Sequence, residues 1–130
     1  MPTQHDMSDE PTYEVDWTDT DRVRVVDVRG EIDLAAAPEL SEHLLGAEDA
    51  GLRAVVVDLC RVSFLDSSGL AALLNARKKL LAADIPLVVA CEPDGRPARI
   101  LEVTGLRSVI DVVDTREEAI EAASRNSTGR

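Results

Sequence analysis

The apolar run LRAVVVDL at Leu52–Leu59 constrains the fold of this chain more than any other segment. Strands that are covered on both faces consist almost entirely of Val, Ile and Leu, and they occur mainly in parallel sheets flanked by helices. After this run, the chain passes through FLDSSG into a stretch whose leucines recur at helical spacing, which predicts a helix over Ser67–Ala83. A buried strand that leads into a helix is typical of an α/β fold.

The rest of the chain alternates between strand and helix patterns in the same way. Gly30 is expected to end the second strand, and Gly105 to follow the end of the third helix. The order β-β-α-β-α-β-α-β-α predicts a mixed, mainly parallel sheet of about five strands with about four helices, its first two strands pairing antiparallel at an edge. The other predicted strands are Tyr13–Trp17, Arg22–Arg29, Pro86–Cys91 and Val109–Val113, and the other predicted helices are Pro38–Leu45, Pro97–Thr104 and a last one capped by Thr115.

The length and composition of the chain suit a single domain. Of its 130 residues, 45% are hydrophobic and only 2% are aromatic, so the core must be built from Val, Leu, Ile and Ala. That length is typical of one domain. Polar composition at both ends predicts a disordered acidic tail over residues 1–11 and a flexible tail over 124–130, with the domain at 12–123 between them.

The net charge of −11 restricts the partners that this chain can bind. It disfavours direct binding to nucleic acid, where Lys and Arg neutralise phosphates, and docking on anionic lipid. No stretch approaches the roughly 20 apolar residues of a transmembrane helix, and the polar N-terminus does not have the features of a signal peptide. A cytoplasmic protein without a membrane partner is therefore expected.

The motifs of several enzyme classes are missing from the sequence. It contains no phosphate-binding glycine loop, no dinucleotide fingerprint and no G-x-S-x-G elbow. A serine nucleophile needs a positioned base, and the only histidines are His5 in the tail and His43, which is expected at the surface of the first helix. Cys60 and Cys91 lie beside apolar runs and are expected to be buried free thiols, too few to bind a metal. We therefore predict no catalytic residues, cofactor or metal.

The turn Asp66-Ser67-Ser68-Gly69 is the candidate functional site. Asp and Ser are favoured helix N-caps, but one cap is enough and three candidates stand together here. Glycine in a helix costs about 1 kcal/mol relative to alanine, so Gly69 suggests that another molecule approaches closely. Two interpretations are open: a helix cap alone, or a hydroxyl that carries a phosphate at a helix N-terminus and acts as a binding switch.

Three segments of the chain resemble one known family. VVVDLCRVSFLDSSGLAALL resembles the central motif of the anti-sigma factor antagonists, which are STAS domains of the SpoIIAA and RsbV type. Gly30–Asp33 together with Ala37–Leu40 resembles the family's G-E-[IL]-D…A-P-x-L segment, and Val103–Leu106 resembles its late [FV]-x-x-[ST]-G-L segment. The order and spacing agree across about residues 12–122.

The resemblance implies a partner-switching mechanism. An unphosphorylated member of the family binds an anti-sigma factor that is also a serine kinase of the GHKL type, and this binding frees a sigma factor. The kinase phosphorylates the serine after the motif aspartate, Ser67 here, and the complex dissociates; a PP2C-type phosphatase restores the free form. The residues expected to bind the partner are Glu31, Asp33, Asp66, Ser68, Gly69 and Leu70.

Alternatives to this mechanism remain at the level of sequence. Asp33 suits a turn before the first helix, Glu31 a solvated strand end, Leu70 the core, and Gly105 and Leu106 helix termination. The alternative function is a STAS scaffold subunit of a larger signalling or transport assembly without a phosphorylation switch. Serine hydrolase, nucleotidase and nucleotide-binding activities have the least support. We expect a monomer or a weak dimer.

Overall fold

The computed structural model describes residues 12–128; the predicted tail at 1–11 and the last two residues lie outside the described part. The described elements follow the predicted order. They are β1 (Tyr13–Thr20), β2 (Val23–Ile32), α1 (Ala37–Asp49), β3 (Ala54–Leu65), α2 (Ser67–Ala82), β4 (Leu87–Ala90), α3 (Arg96–Val103), a 3₁₀ turn (Leu106–Ser108), β5 (Asp111–Val113) and α4 (Arg116–Thr128). The last helix therefore continues past Ala123, where the domain was predicted to end.

The five strands form one sheet in the order β1-β2-β3-β4-β5. β1 pairs antiparallel with β2 at the edge, and the other three pairings are parallel. Both features were predicted, because hairpin-linked strands pair antiparallel whereas strands separated by a helix must cross over and run parallel. The carboxyl ends of β2, β3 and β4 consequently lie at one edge of the sheet.

Three helices cover one face of this sheet, and one helix covers the other. The buried side chains of α1, α2 and α3 belong to the larger apolar cluster, together with Val55 and Val57 of β3. Ala119 and Ala123 of α4 belong to the smaller cluster, together with Val56 of the same strand. Successive side chains of a strand point to opposite faces, so β3 is buried on both, as its continuous apolar run predicted.

The prediction that Gly30 ends the second strand is wrong. β2 continues through Gly30 to Ile32, with a register irregularity between Gly30 and Glu31. Gly30 has φ +87°, and a β-carbon there would overlap the Thr12 carbonyl oxygen, so glycine allows the strand to continue beside β1. The strand persists because β3 also runs beyond its predicted end at Leu59, up to Leu65, and pairs with it.

Other boundaries also differ from the prediction. α1 continues to Asp49, four residues past its predicted end at Leu45, and β5 begins at Asp111, two residues after its predicted start at Val109. Thr115 caps α4 as predicted, since its hydroxyl oxygen accepts a hydrogen bond from the Glu118 N–H at 3.1 Å.

Candidate functional site

The turn between β3 and α2 is held against the end of β2. The Asp66 N–H donates to the Ile32 carbonyl at 3.1 Å, one residue beyond the parallel pair formed by Ile32 and Leu65. This bond joins the β3–α2 turn to the chain segment that leads from β2 into α1. The two segments predicted to form the site therefore lie side by side at the carboxyl edge of the sheet, where α/β folds commonly bind their partners.

Asp66 is the N-cap of α2. Its backbone is extended, with φ −97° and ψ −173°, and its Oδ1 accepts from the Ser68 N–H at 2.8 Å and from the Gly69 N–H at 3.1 Å. Its carbonyl accepts the first helical hydrogen bond, from the Leu70 N–H at 3.0 Å. One of the three cap candidates thus satisfies the first turn of the helix without help from either serine.

Neither serine hydroxyl has a structural partner in the described part of the chain. Ser67 is the first helical residue and is exposed, whereas Ser68 is half-buried. Across residues 12–128, no hydrogen bond joins a protein group to either side-chain oxygen. Capping therefore explains Asp66 but leaves Ser67 as an exposed hydroxyl without a structural task.

Gly69 serves a different purpose from the one that the sequence suggested. It is buried, and a β-carbon there would lie 2.5 Å from the Leu65 Cδ1 and 3.0 Å from the Ile32 Cγ2. The space left by the missing side chain is therefore filled by the domain's own core, and it does not admit another molecule. The glycine allows the first turn of α2 to lie directly on the ends of β2 and β3.

The turn between β2 and α1 is organised by Asp33. Its Oδ1 accepts from the Ala35 N–H at 3.0 Å and from the Ala36 N–H at 3.4 Å, and its carbonyl accepts from Ala36 and Ala37. Such a side-chain turn fixes a loop without a partner, so the structural interpretation of Asp33 as a turn residue holds. The same turn displays Leu34, whose surface is 74% exposed.

The remaining predicted contact residues divide between surface and core. Glu31 is exposed and pairs across the sheet with Phe64. Leu70 is half-buried and packs against the larger apolar cluster, which supports its interpretation as a core residue. Glu31 and Asp33 therefore lie at the end of β2 that borders the turn containing Asp66 and Ser68, while Leu70 packs against the core.

Sequence reasoning missed two exposed apolar side chains at this edge, Leu34 and Phe64, the latter 41% exposed. The sequence did contain a signal for each. Leu34 lies before the first helix, outside the spacing of the buried Leu40 and Leu44. Phe64 lies next to Leu65, which points into the core, so an extended strand must turn Phe64 outward.

A groove of about 440 Å³ separates the end of β3 from the start of α3. It brings arginine side chains to the same edge of a strongly acidic chain. Its lining residues are Phe64, Asp94, Gly95, Arg96, Arg99 and Ile100.

The opposite face of the sheet carries a charged cluster under the start of α4. Arg116 lies 3.5 Å from the Asp58 carboxylate and 3.7 Å from that of Asp27. Beside it, burial first and then a hydrogen bond with Asp58 raise the pKa of the Cys60 thiol to about 12. Burial likewise raises the pKa of Cys91. These shifts suppress the reactive thiolate of both residues.

Both cysteines are free, although Cys60 is only half-buried whereas Cys91 is buried as expected. His43, predicted at the surface, is also half-buried, with its Nε2 3.7 Å from the Glu39 carboxylate. Among residues 12–128, no group of His, Cys, Asp and Glu side chains is arranged to hold a metal ion. The described helices also include none with the length and apolarity of a membrane span.

Comparison with known proteins matches this architecture. The STAS domain profile covers residues 14–119. An anti-sigma-B factor antagonist of Staphylococcus aureus (strain NCTC 8325 / PS 47) is 34% identical over 103 residues, which is 79% of this chain and 94% of that protein. The crystal structure of an anti-sigma factor antagonist from Mycobacterium paratuberculosis has a TM-score of 0.77 at 30% identity and covers 86% of this chain and 94% of that one.

Phosphorylated SpoIIAA, described as a Bacillus cell fate determinant, has a TM-score of 0.63 at 23% identity over 85% of this chain and 97% of that one, a similarity that bears on the fold alone. The mixed five-stranded sheet and its helix order are those of a STAS domain. The chain belongs to the anti-sigma factor antagonists of the STAS family, which confirms the resemblance noted from its sequence.

Proposed function

We propose that this protein is a phosphorylation-controlled antagonist that acts by binding and not by catalysis. In its unphosphorylated form it binds an anti-sigma factor that is also a serine kinase of the GHKL type, and this binding frees the sigma factor. Phosphorylation of Ser67 abolishes the binding, and a PP2C-type phosphatase reverses it. We place this cycle in the cytoplasm and expect the antagonist to act as a monomer or a weak dimer.

The observation that carries the proposal is the exposed Ser67 hydroxyl at the start of α2. A residue that only capped the helix would have its side-chain oxygen bonded to a first-turn N–H, and Asp66 already makes those bonds. An accessible hydroxyl is what a kinase requires of an acceptor. The relatives named as anti-sigma factor antagonists support the identity of the partner class.

The proposed partner surface surrounds this hydroxyl. It consists of Leu34 and Phe64 as apolar contacts and Glu31, Asp33, Asp66 and Ser68 as polar ones. Gly69 and Leu70 contribute indirectly, because they set how closely α2 sits on the sheet. Exposed apolar side chains within a polar rim are typical of the centre of a protein interface.

A phosphate suits this position as a switch. It adds roughly −1.5 to −2 charges at neutral pH, in the middle of the proposed surface. Like charges or a desolvated charge within an interface cost several kcal/mol, and about 2.7 kcal/mol already corresponds to a 100-fold loss of affinity. The switch therefore needs no change of fold, only an added charge where the partner packs.

The proposal is tested by the affinity of the protein for the GHKL-type anti-sigma kinases encoded by its own genome, measured by calorimetry. Wild type and Ser67→Ala should bind one of them, while the chain carrying phosphoserine at position 67 should bind at least about 100-fold more weakly. Ser67→Asp and Ser67→Glu carry less charge than a phosphate and should show an intermediate loss.

Ser108→Asp is the charge control, because Ser108 is exposed in the 3₁₀ turn that follows the carboxyl end of α3; its hydroxyl donates to the Gly105 carbonyl at 2.9 Å, so the stability of this variant is measured together with its affinity. It adds a charge without touching the proposed surface and should bind as wild type does. Equal affinity of the phosphorylated and unphosphorylated chains would overturn the proposal and favour a STAS scaffold subunit without a phosphorylation switch.

A further inference from the structure

We infer that Asp66 is a positioning residue for the switch: by occupying the first-turn N–H groups of α2, it turns a phosphate on Ser67 outward, onto the partner surface. The inference rests on the proposed role of Ser67, and it names the residue that makes the phosphate effective. Without the Asp66 cap, the free N–H groups at the start of a helix favour phosphate binding, and the phosphate on Ser67 could bind to its own helix.

The hydrogen bonds of the first turn leave a phosphate few donors. Asp66 Oδ1 accepts from the N–H groups of Ser68 and Gly69 at 2.8 and 3.1 Å, and the Asp66 carbonyl accepts from Leu70. A helix start offers only about four such groups that lack a helical partner. The Asp66 carboxylate holds two of them, and the Asp66 N–H donates to the Ile32 carbonyl, so a phosphate on the first residue finds only the Ser67 N–H without a protein acceptor.

Charges around the turn also oppose an inward phosphate. Asp66 stands directly before the acceptor, and Asp33 and Glu31 lie at the neighbouring end of β2. Arg96 and Arg99 of α3 line the groove next to Phe64, not the turn itself. Near the helix start the phosphate therefore meets carboxylates, and like charges disfavour its fully ionised form.

This arrangement explains how the switch acts without remodelling the domain. The Asp66 cap persists in both forms, so α2 keeps its place on β2 and β3. The phosphate must then project among Leu34, Phe64 and the acidic side chains of the proposed surface, where its volume and charge obstruct the partner. In Asp66→Ala the two N–H groups become available, and the phosphate can settle on the helix start and withdraw from that surface.

The titration of the phosphate measures which of these environments it occupies. Phosphoserine is incorporated at position 67 of the full-length chain during translation, so no kinase is required, and its pKa is followed by ³¹P NMR. The reference is a phosphopeptide of residues 61–74 that carries Asp66→Asn, so that it has neither a helix start nor the charge of Asp66. The ordinary value is about 6.

Wild type and two variants should differ in the pKa of this phosphate. In the wild-type background the pKa should exceed that of the peptide by roughly half a unit, the effect of a second negative charge about 6 Å away in water. Asp66→Asn keeps the cap, because asparagine caps as well as aspartate, but removes the charge, so its value should fall to that of the peptide. In Asp66→Ala the freed donors should lower the pKa below the peptide value.

A wild-type phosphate that titrates at or below the peptide value would overturn the inference, as would identical titrations in wild type and Asp66→Ala. A purely structural role for Asp66 would lower the stability of Asp66→Ala but would not order these three pKa values. If the alanine variant does not fold, the comparison of wild type with Asp66→Asn decides, because loss of the charge must lower the pKa there.

A second readout separates this inference from the proposed function. With the anti-sigma kinase as the probe, phosphorylation should weaken binding of wild type by at least about 100-fold and of Asp66→Ala by about tenfold or less. An equal loss in both would overturn the role of Asp66 and leave the proposed function intact. If phosphorylation has no effect on kinase affinity in wild type, the proposed function fails, while the ³¹P order still tests the position of the phosphate.

Discussion

Two of the described helices, α2 and α4, have a side-chain cap just after the preceding strand, and they use the hydroxyl groups at their starts differently. At the start of α4, the Thr115 hydroxyl accepts from the Glu118 N–H at 3.1 Å, and the Glu118 carboxylate accepts in return from the Thr115 N–H at 3.2 Å. At the start of α2, Asp66 alone caps the helix, and the Ser67 hydroxyl beside it stays exposed.

The difference separates a hydroxyl that serves the fold from one that is available for function. The reciprocal bonds of Thr115 and Glu118 form a capping box, in which the hydroxyl is fully engaged. Replacing that hydroxyl removes a structural bond, whereas replacing the hydroxyl of Ser67 removes none in the described part of the chain. Hydroxyl side chains at the two helix starts thus have different roles, and their hydrogen bonds identify which of them serves the fold.

The largest effect on stability is expected where α2 is seated on the sheet. Gly69→Ala places a β-carbon against Leu65 and Ile32 in a closely packed region and should lower the free energy of unfolding by about 1–3 kcal/mol. Urea denaturation measures this change. Gly95→Ala is the packing control, because its added carbon would lie no closer than 3.4 Å to any neighbour; as the N-cap of α3 it should lose less than about 1 kcal/mol.

A smaller effect on affinity is expected from the exposed apolar residue next to this turn. Leu34→Ala should weaken binding of the anti-sigma kinase by about tenfold, which corresponds to about 1.4 kcal/mol, as truncation of an interface anchor does. Its stability should hardly change, because Leu34 is 74% exposed. Val103→Ala, at the far end of α3 and 79% exposed, should alter neither property. Normal kinase affinity of the Leu34 variant would remove it from the proposed surface.

The two caps should be worth similar amounts of stability. Asp66→Ala and Thr115→Ala each remove the cap of one helix and should each lower the free energy of unfolding by about 1 kcal/mol, while Asp66→Asn should retain nearly all of it. Chemical denaturation compares the three. Only Asp66→Ala should also reduce the effect of phosphorylation on kinase affinity; an equal reduction in Thr115→Ala would contradict the distinction between the two helix starts.

A change in thiol reactivity is expected at Cys60, whose Sγ lies 3.9 Å from the Asp114 carbonyl oxygen at the start of α4. Its pKa is raised from 9.0 to about 12, so the folded thiol stays protonated at pH 8 and should react with iodoacetamide at least about tenfold more slowly than in the urea-unfolded chain. Thr115→Ala should speed this reaction by loosening α4, and Ser67→Ala should not.

The sign of the associated pH dependence follows from the same shift. A thiol whose pKa is higher in the folded chain contributes stability that is complete below the unfolded pKa, near 9, and is lost as the pH rises toward 12. Cys60→Ser cannot titrate there, so its stability should decline less with pH over this window. Parallel decline in the two proteins would contradict the raised pKa.

The patterns that could be read from the sequence are those set by local physical rules. Alternation and apolar runs predicted the strands, leucine spacing predicted α2 to within one residue of its end, and Thr115 was recognised as a cap. The positions at which strands end were predicted less well. β2 and β3 run past Gly30 and Leu59 because each supplies the other's hydrogen bonds, and that pairing joins segments far apart in sequence.

The candidate site divides in the same way. The sequence by itself determined that three residues able to cap a helix stand at the end of a buried strand, because helix capping is a local interaction. Only the tertiary structure decided that Asp66 does the capping, that Gly69 is required by the core, and that Leu34 and Phe64 are exposed. These roles depend on the meeting of two strand ends and a helix start, which the pairing of distant segments brings about.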